Sequence, residues 1–326
     1  MILLQKVKKN QNLISRDQQL QLNYFNNPYL LLETDRQILD RLSDIFACAS
    51  DIGANGKIIF TPMTENNNKF MQLFTDTFIE ASFRKIFNLG PNKESINQIN
   101  SYYEGGKPPV GFNMFKGISE DPKGNTLYRF SKKEYIEDMH KNGKFRIAPA
   151  SFYSKGSHLK AVKDLETQRI YRVNAVPDIL QGKTSFEFGG IEAPVSNGYL
   201  TLNFTISNYY LFCTSYEINR KLPTDFEADS VLVIEDKDEF LRRCKKKLEE
   251  RYPNWEFIEG NVNYYDPHTD LPPSDQSFEF TKHFSFNYQK EHRFILKNRF
   301  HKKHVDLKEI YLELGSLEDI SYVINS

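Results

Sequence analysis

One tryptophan, three cysteines and no surplus of either charge are what this chain has least of, and each scarcity closes off a class of protein. Cys48, Cys213 and Cys244 lie far apart, are odd in number and form no C-x-x-C pair. Neither a disulfide framework nor a structural zinc site is indicated, and such cysteine usage points to a reducing, cytoplasmic setting. Lys+Arg and Asp+Glu both number 43, so the basic excess of a protein that coats DNA is missing, although a local basic patch stays open. No run approaches the ~18–20 apolar residues of a membrane span. The first residues, Met1 to Lys9, put their apolar part before their charges and are too short for a signal peptide. Gly-x-Gly-x-x-Gly and Walker A motifs are absent, which removes support for a Rossmann or P-loop enzyme. His158, His292, His301 and His304 supply no pair at metal-ligand spacing, so no metal site is expected.

Aromatic residues are what the chain has in quantity. Phe (26) and Tyr (18) dominate a 14% aromatic share, which suits half-buried strands and walls that stack on flat ligands. With 39% hydrophobic residues in 326, a core is available for one large domain or two ordinary ones. Helical spacing of Ile38, Leu39, Leu42, Ile45 and Phe46, then of Phe70, Leu73, Phe74, Phe78 and Ala81, predicts a helix-rich region over 1–125. Its last part, Pro108 to Asn125, is rich in Gly and Pro and reads as a linker. From 126 onward strands dominate: Thr126–Phe130, Phe145–Ala148, Arg169–Val173, Ser185–Phe188, two within Tyr199–Ser215, Ser230–Ile234, Phe257–Tyr265 and Ile310–Leu314. Ser131 with Glu134 reads as a capping box opening a helix that Gly143 closes. A helix follows Asp238, and a short final helix is expected from Leu317. The pattern is α+β, with a helical cap or partner-binding region at 1–125 and a strand-rich domain at 126–326.

One stretch stands apart. Phe284 to Leu296 sets Gln289-Lys290-Glu291-His292-Arg293 between aromatic and aliphatic flanks. Read as a strand, or two strand segments with a kink, it turns Gln289, Glu291 and Arg293 to one face. A cross-strand ion pair is the plainer reading of that face. Two other positions invite the same weighing. Arg129, within Tyr128-Arg129-Phe130, either pairs with a carboxylate at a sheet edge or presents its planar fork to a phosphate or ribose. Cys213-Thr214-Ser215, at the end of an apolar run, either caps a turn or belongs to a site.

Taken in chain order, these three pieces resemble the Arg–Ser–Glu group of ADP-ribosyltransferases. The likeness rests on Leu127-Tyr128-Arg129-Phe130, Phe212-Cys213-Thr214-Ser215 and Tyr288-Gln289-Lys290-Glu291. It implies two facing β-sheets with flanking helices and NAD, as substrate, in the cleft between them. Arg129 would hold NAD near its phosphates and ribose, and Thr214 and Ser215 would brace the nicotinamide half. Glu291 would be catalytic, stabilising positive charge on the ribose as the glycosidic bond breaks, and Gln289 would orient the acceptor. Cys213 departs from the family's first Ser. Phe152 and Tyr153 are candidate stacking walls for nicotinamide or adenine, with core packing as the alternative.

The C-terminal half is also similar to a broad set of uncharacterised bacterial and phage proteins, which share a Lys ahead of the Gln/Glu-x-Glu-x-Arg stretch, here Lys282. That similarity implies a toxin or antiphage-defence role, with an antitoxin or regulatory protein as partner. The acceptor would be a macromolecule, RNA ahead of protein, because the basic run Lys297 to His304 follows the stretch. Rival readings are a non-enzymatic partner-binding module on the same fold and a metal-dependent nuclease. Arg242 to Lys247 reads as the exposed face of a helix, and Asp164 with Glu166 as an acidic pair on a surface loop.

Overall fold

A computed structural model describes residues 15–60, 68–89, 93–103, 107–118, 124–154, 166–188, 191–194, 198–273, 277–298 and 307–326. It is a mixed α+β structure with antiparallel sheets and several helices. The chain forms two compact units, one from the described residues of Met1–Ala47, Pro62–Ile96 and Arg172–Leu202, the other from those of Cys48–Thr61, Asn97–Tyr171 and Asn203–Ser326. The division therefore falls at several points in the chain rather than once after residue 125.

In the first unit, helix Arg16–Asn26 opens on a capping box in which Ser15 and Gln18 satisfy each other's backbone N–H. Its Leu20 and Tyr24 are buried. Helices Asp35–Ala49 and Asn68–Arg84 add Ile38, Leu39 and Ala81 to a core shared with Tyr24, Tyr29, Leu30 and Ile86. Polar atoms in this core are paired: Tyr24 donates to Glu80, and Tyr29 to Asp76 at 2.8 Å. Arg84 donates to the carbonyls of Leu30, Leu31 and Glu33 and to Glu80, stitching the helix end to the preceding loop.

The second unit is built on an eight-stranded sheet. Its strands, with those of one small ladder, are β1 (Leu127–Ser131), β2 (Lys144–Pro149), β3 (Tyr210–Ser215), β4 (Ser230–Ile234), β5 (Trp255–Asn261), β6 (Asn263–Tyr265), β7 (Thr281–His283), β8 (Glu291–Asn298), β9 (Ile310–Glu313) and β10 (Ser321–Asn325). The order is β5-β8-β3-β1-β4-β10, all antiparallel, with β2 pairing both β3 and β9, while β6 and β7 form a separate parallel ladder. Helices α1 (Lys133–Asn142) and α2 (Lys237–Arg251) cover one face, burying Ile136, Met139, Phe240, Leu241, Cys244 and Leu248. The strands contribute Leu127, Phe145, Phe212, Leu232, Phe294 and Leu296 to that core, with the Phe212 and Phe294 rings stacked 5.1 Å apart. Each such burial contributes roughly 1.5–3 kcal/mol. Arg242 and Lys245 to Lys247 form the exposed face of α2.

Four expectations change. The stretch read as a linker carries a short helix, Val110–Met114, with Met114 and Phe115 buried, because its apolar residues outweigh its glycines and prolines. Gly111 packs so closely on Arg220 that an added Cβ would meet its carbonyl oxygen at 2.0 Å. The N-cap of α1 is Lys132 and not Ser131; its side chain makes no capping bond, and the Asp229 carboxylate instead accepts from the Lys133 N–H at 2.6 Å. Gly143 does end α1, in the left-handed region (φ 61°). In place of the expected final helix from Leu317 there is a turn and then strand β10, which pairs antiparallel with β4. Most consequentially, Phe284–Gln289 is a 3₁₀ helix, and β8 begins only at Glu291. Lys290 makes the switch with a left-handed backbone (φ 45°), an uncommon conformation for a residue with a Cβ.

Candidate functional site

A local parting of strands makes room for a cavity. Along one edge of β3, β1 pairs at Tyr128↔Ser215 while β2 pairs at Ala148↔Leu211 and Pro149↔Tyr210. Between those registers the Cys213 carbonyl takes the Arg129 guanidinium, Nη1 donating at 2.7 Å. The guanidinium also lies 4.8 Å over the Phe212 ring. Among the described residues no carboxylate pairs with Arg129. The cavity, about 320 Å³, is lined by residues on both sides of this parting.

All seven residues singled out by sequence, Arg129, Phe152, Tyr153, Thr214, Ser215, Gln289 and Glu291, line it. Their roles differ in detail. Phe152 stacks under Arg146, 4.8 Å from ring centre to guanidinium carbon. Tyr153 packs against the small core of Ala150, Tyr209, Leu211 and Ile295, and burial raises its hydroxyl pKa. Thr214 donates to the His292 carbonyl at 3.0 Å, tying β3 to β8. The Ser215 hydroxyl lies 2.8 Å from the carbonyls of both Gln289 and Glu217. These two hydroxyls therefore brace backbone, and Ser215 fixes the end of the 3₁₀ helix.

Glu291 is 4% exposed and held from both sides. Its Oε2 accepts from Lys282 Nζ at 3.0 Å, and its Oε1 from Arg293 Nε at 2.9 Å. Lys282 Nζ also donates to Gln289 Oε1 at 3.0 Å. The three polar residues expected on one face of a strand do converge, although the chain reaches Gln289 by a 3₁₀ turn. Burial would raise the Glu291 carboxyl, but the charges of Arg293 and Lys282 outweigh it and hold the pKa below the ordinary carboxylate value. The Cys213 thiol faces this carboxylate, and burial, with Glu291 adding to it, pushes its pKa well up.

Sequence reasoning missed the other half of this cluster. Glu166, expected on the surface, is 3% exposed and lines the cavity. It bonds Arg293 Nη1 at 3.0 Å and Arg169 Nη2 at 3.2 Å, and accepts from the Tyr209 hydroxyl at 3.3 Å. Burial opposes its ionisation, and Arg293, Arg169 and Lys282 overcome that, keeping it ionised. Its one local partner, Arg169, lies three residues on, a spacing that by itself marks no site; Asp164 lies outside the described residues. Arg293 is fully buried and joins the two carboxylates. Lys282 did leave a trace in sequence, a lone Lys among Phe278, Phe280, Phe284 and Phe286. Lys132 and Arg146 also line the cavity, so its wall carries Arg129, Lys132, Arg146 and Lys282 against two carboxylates. His301, His304 and most of the basic run lie outside the described residues.

His292 faces away from Glu291, its Nδ1 2.8 Å from Asn261 Oδ1. Burial, reinforced by Lys237, pushes its pKa from 6.5 down to about 4. The unfolded chain therefore binds a proton between those values that the folded protein refuses. Stability should fall as pH drops through that window, by about 3 kcal/mol in all from this group. Urea unfolding of wild type and His292→Asn between about pH 7 and pH 5 should show a shallower decline in the variant. Parallel declines would contradict this.

No group of three or more His, Cys, Asp or Glu among the described residues is arranged to hold a metal, and no helix among them is long and apolar enough to cross a membrane. No known protein family, curated protein or solved structure matches the chain.

Proposed function

We propose that this chain is an NAD-dependent ADP-ribosyltransferase acting on a macromolecular acceptor, RNA ahead of protein, as a toxin or defence effector. The observation that carries the reading is the meeting of Arg129, Thr214, Ser215, Gln289 and Glu291 around one cavity from three distant segments. The cavity fits such a substrate in kind. Its cations suit a diphosphate, Phe152 and Tyr153 offer rings to a flat base, and its volume falls in the ~300–1,000 Å³ range of small-molecule sites. The parting of β1 and β2 along β3 supports a cleft between two sheets.

NAD would supply the ADP-ribosyl group, with nicotinamide as leaving group. As the C1′–N bond breaks, nicotinamide takes the electron pair and the ribose becomes cationic. Glu291, ionised at neutral pH, lies on the cavity wall as the anion to stabilise that charge. Oε1 meets both Nε and Nη2 of Arg293 while Oε2 accepts from Lys282, so Oε2 is the oxygen a ribose hydroxyl would bond. The acceptor then bonds C1′ and gives up its proton to solvent water. Gln289, without a titratable group, would position that acceptor rather than deprotonate it.

A second reading, a partner-binding module without turnover, is favoured by one observation: each oxygen of Glu291 already meets a cation. NAD hydrolysis, or a thermal shift with NAD, separates the two readings. Arg129→Met should weaken NAD binding roughly 10–100-fold, as loss of charged hydrogen bonds implies. Calorimetric titration showing equal affinity for both proteins would sink the assignment of Arg129.

A further inference from the structure

We propose that Lys282 is a positioning residue that clasps Gln289 and Glu291 together and so sets the geometry of the carboxylate the reaction uses; this rests on the transferase reading above. The need for a clasp comes from the local backbone. Gln289 ends a six-residue 3₁₀ helix, a form with poorer hydrogen bonds than an α-helix, and Lys290 then turns the chain through a left-handed conformation. Little in that segment's own ladder fixes the two side chains relative to each other. Lys282 does so from outside it. It sits on β7, paired with Tyr264 of β6, and is 5% exposed. Its Nζ reaches Gln289 Oε1 and Glu291 Oε2, each at 3.0 Å, closing spans of seven and nine residues. The ammonium also lies 4.5 Å from the centre of the Phe286 ring, a residue inside the loop it closes.

The division of labour with Arg293 is geometric. Arg293 takes Oε1 of Glu291 and Lys282 takes Oε2, so the carboxylate plane is fixed at both corners. Without Lys282, Glu291 keeps its charge, Arg293 and the Cys213 thiol, but Oε2 loses its cation and the carboxylate gains freedom to turn about the Arg293 side. Gln289 keeps its side-chain bond with Tyr288 but loses the Lys282 bond that ties its carbonyl oxygen to Glu291. A misplacement of about 1 Å at a reacting group costs on the order of 100-fold in rate. Lys282 stands in the cavity wall, yet the proposal gives it no bond to make or break.

The test compares wild type, Lys282→Met and Lys282→Arg by steady-state nicotinamide release and by crystal structures. Lys282→Met should lower kcat about 10–100-fold and move the KM for NAD less than about 3-fold. Lys282→Arg, whose fork still donates to both partners, should recover part of kcat. The Lys282→Met structure should show Gln289 and Glu291 in changed rotamers. Unchanged kcat, or side chains that stay in place, would overturn the proposal. If Lys282→Met fails to fold, Lys282→Arg carries the test, and a full loss of kcat with both side chains unmoved would overturn it. A wild type that releases no nicotinamide defeats the transferase reading; the rotamers then decide the clasp alone, displacement supporting it and immobility overturning it.

Discussion

Glu291→Gln is expected to lower ADP-ribosyl transfer from labelled NAD about 100–1,000-fold, the usual loss when a preorganised charge at a reacting centre is removed. The amide keeps the shape of the carboxylate and one acceptor, so the wall of the cavity persists. The charge does not, and with it goes the anion that a developing cation at the ribose would meet there. The amide nitrogen must also face either Lys282 or Arg293, two donors that both need acceptors. That mismatch should cost roughly 1–3 kcal/mol of stability, which a thermal melt will show as a lowered but cooperative transition. Full transfer activity in a folded Glu291→Gln protein would remove Glu291 from the reaction.

Arg293→Met should have the largest effect on stability. The guanidinium is fully buried and donates to Glu291, to both oxygens of Glu166 and to the Glu279 carbonyl. Removing one partner of a buried ion pair costs about 3–5 kcal/mol, a large part of the ~5–15 kcal/mol that holds a domain together. The pH dependence should change with it. In the wild type, burial raises both carboxyls and Arg293 is the first of the charges that lower them, so both lie below 4.5. Their contribution is present above that value and lost as pH falls through the folded pKa. In the variant burial regains weight, both pKa values rise, and acidification should destabilise the protein less than it does the wild type. Urea unfolding at two pH values tests both points; a loss below about 1 kcal/mol at neutral pH would show that Arg169 and Lys282 suffice.

How much of this was legible in the chain follows from how local each signal is. Strand and helix periods in the C-terminal part report burial of alternate or every third and fourth residue, so β1, β3, β4 and α2 were readable. The 3₁₀ segment was not, because Phe284, Phe286 and Tyr288 alternate as a strand would while the backbone winds tightly to bury Phe284, Tyr288 and Gln289. The capping box at Ser131 was misread for a related reason: Asp229, almost a hundred residues later, supplies the acceptor oxygen that a local Ser hydroxyl would otherwise provide. The site shows the same split. Arg129, Gln289 and Glu291 stood out beside aromatic neighbours. Glu166 did not, since beyond the nearby Arg169 its partners Arg293 and Tyr209 come from distant segments that only the folded sheet brings to it. An ion pair across more than a hundred residues has no short-range signature.

The most direct measurement is a structure of Glu291→Gln crystallised with NAD, since the variant should bind the dinucleotide without consuming it. The account predicts the nicotinamide ribose within hydrogen-bond distance of residue 291 and the diphosphate against Arg129. NAD bound elsewhere, or a cavity that takes up no NAD at saturating concentration, would contradict it.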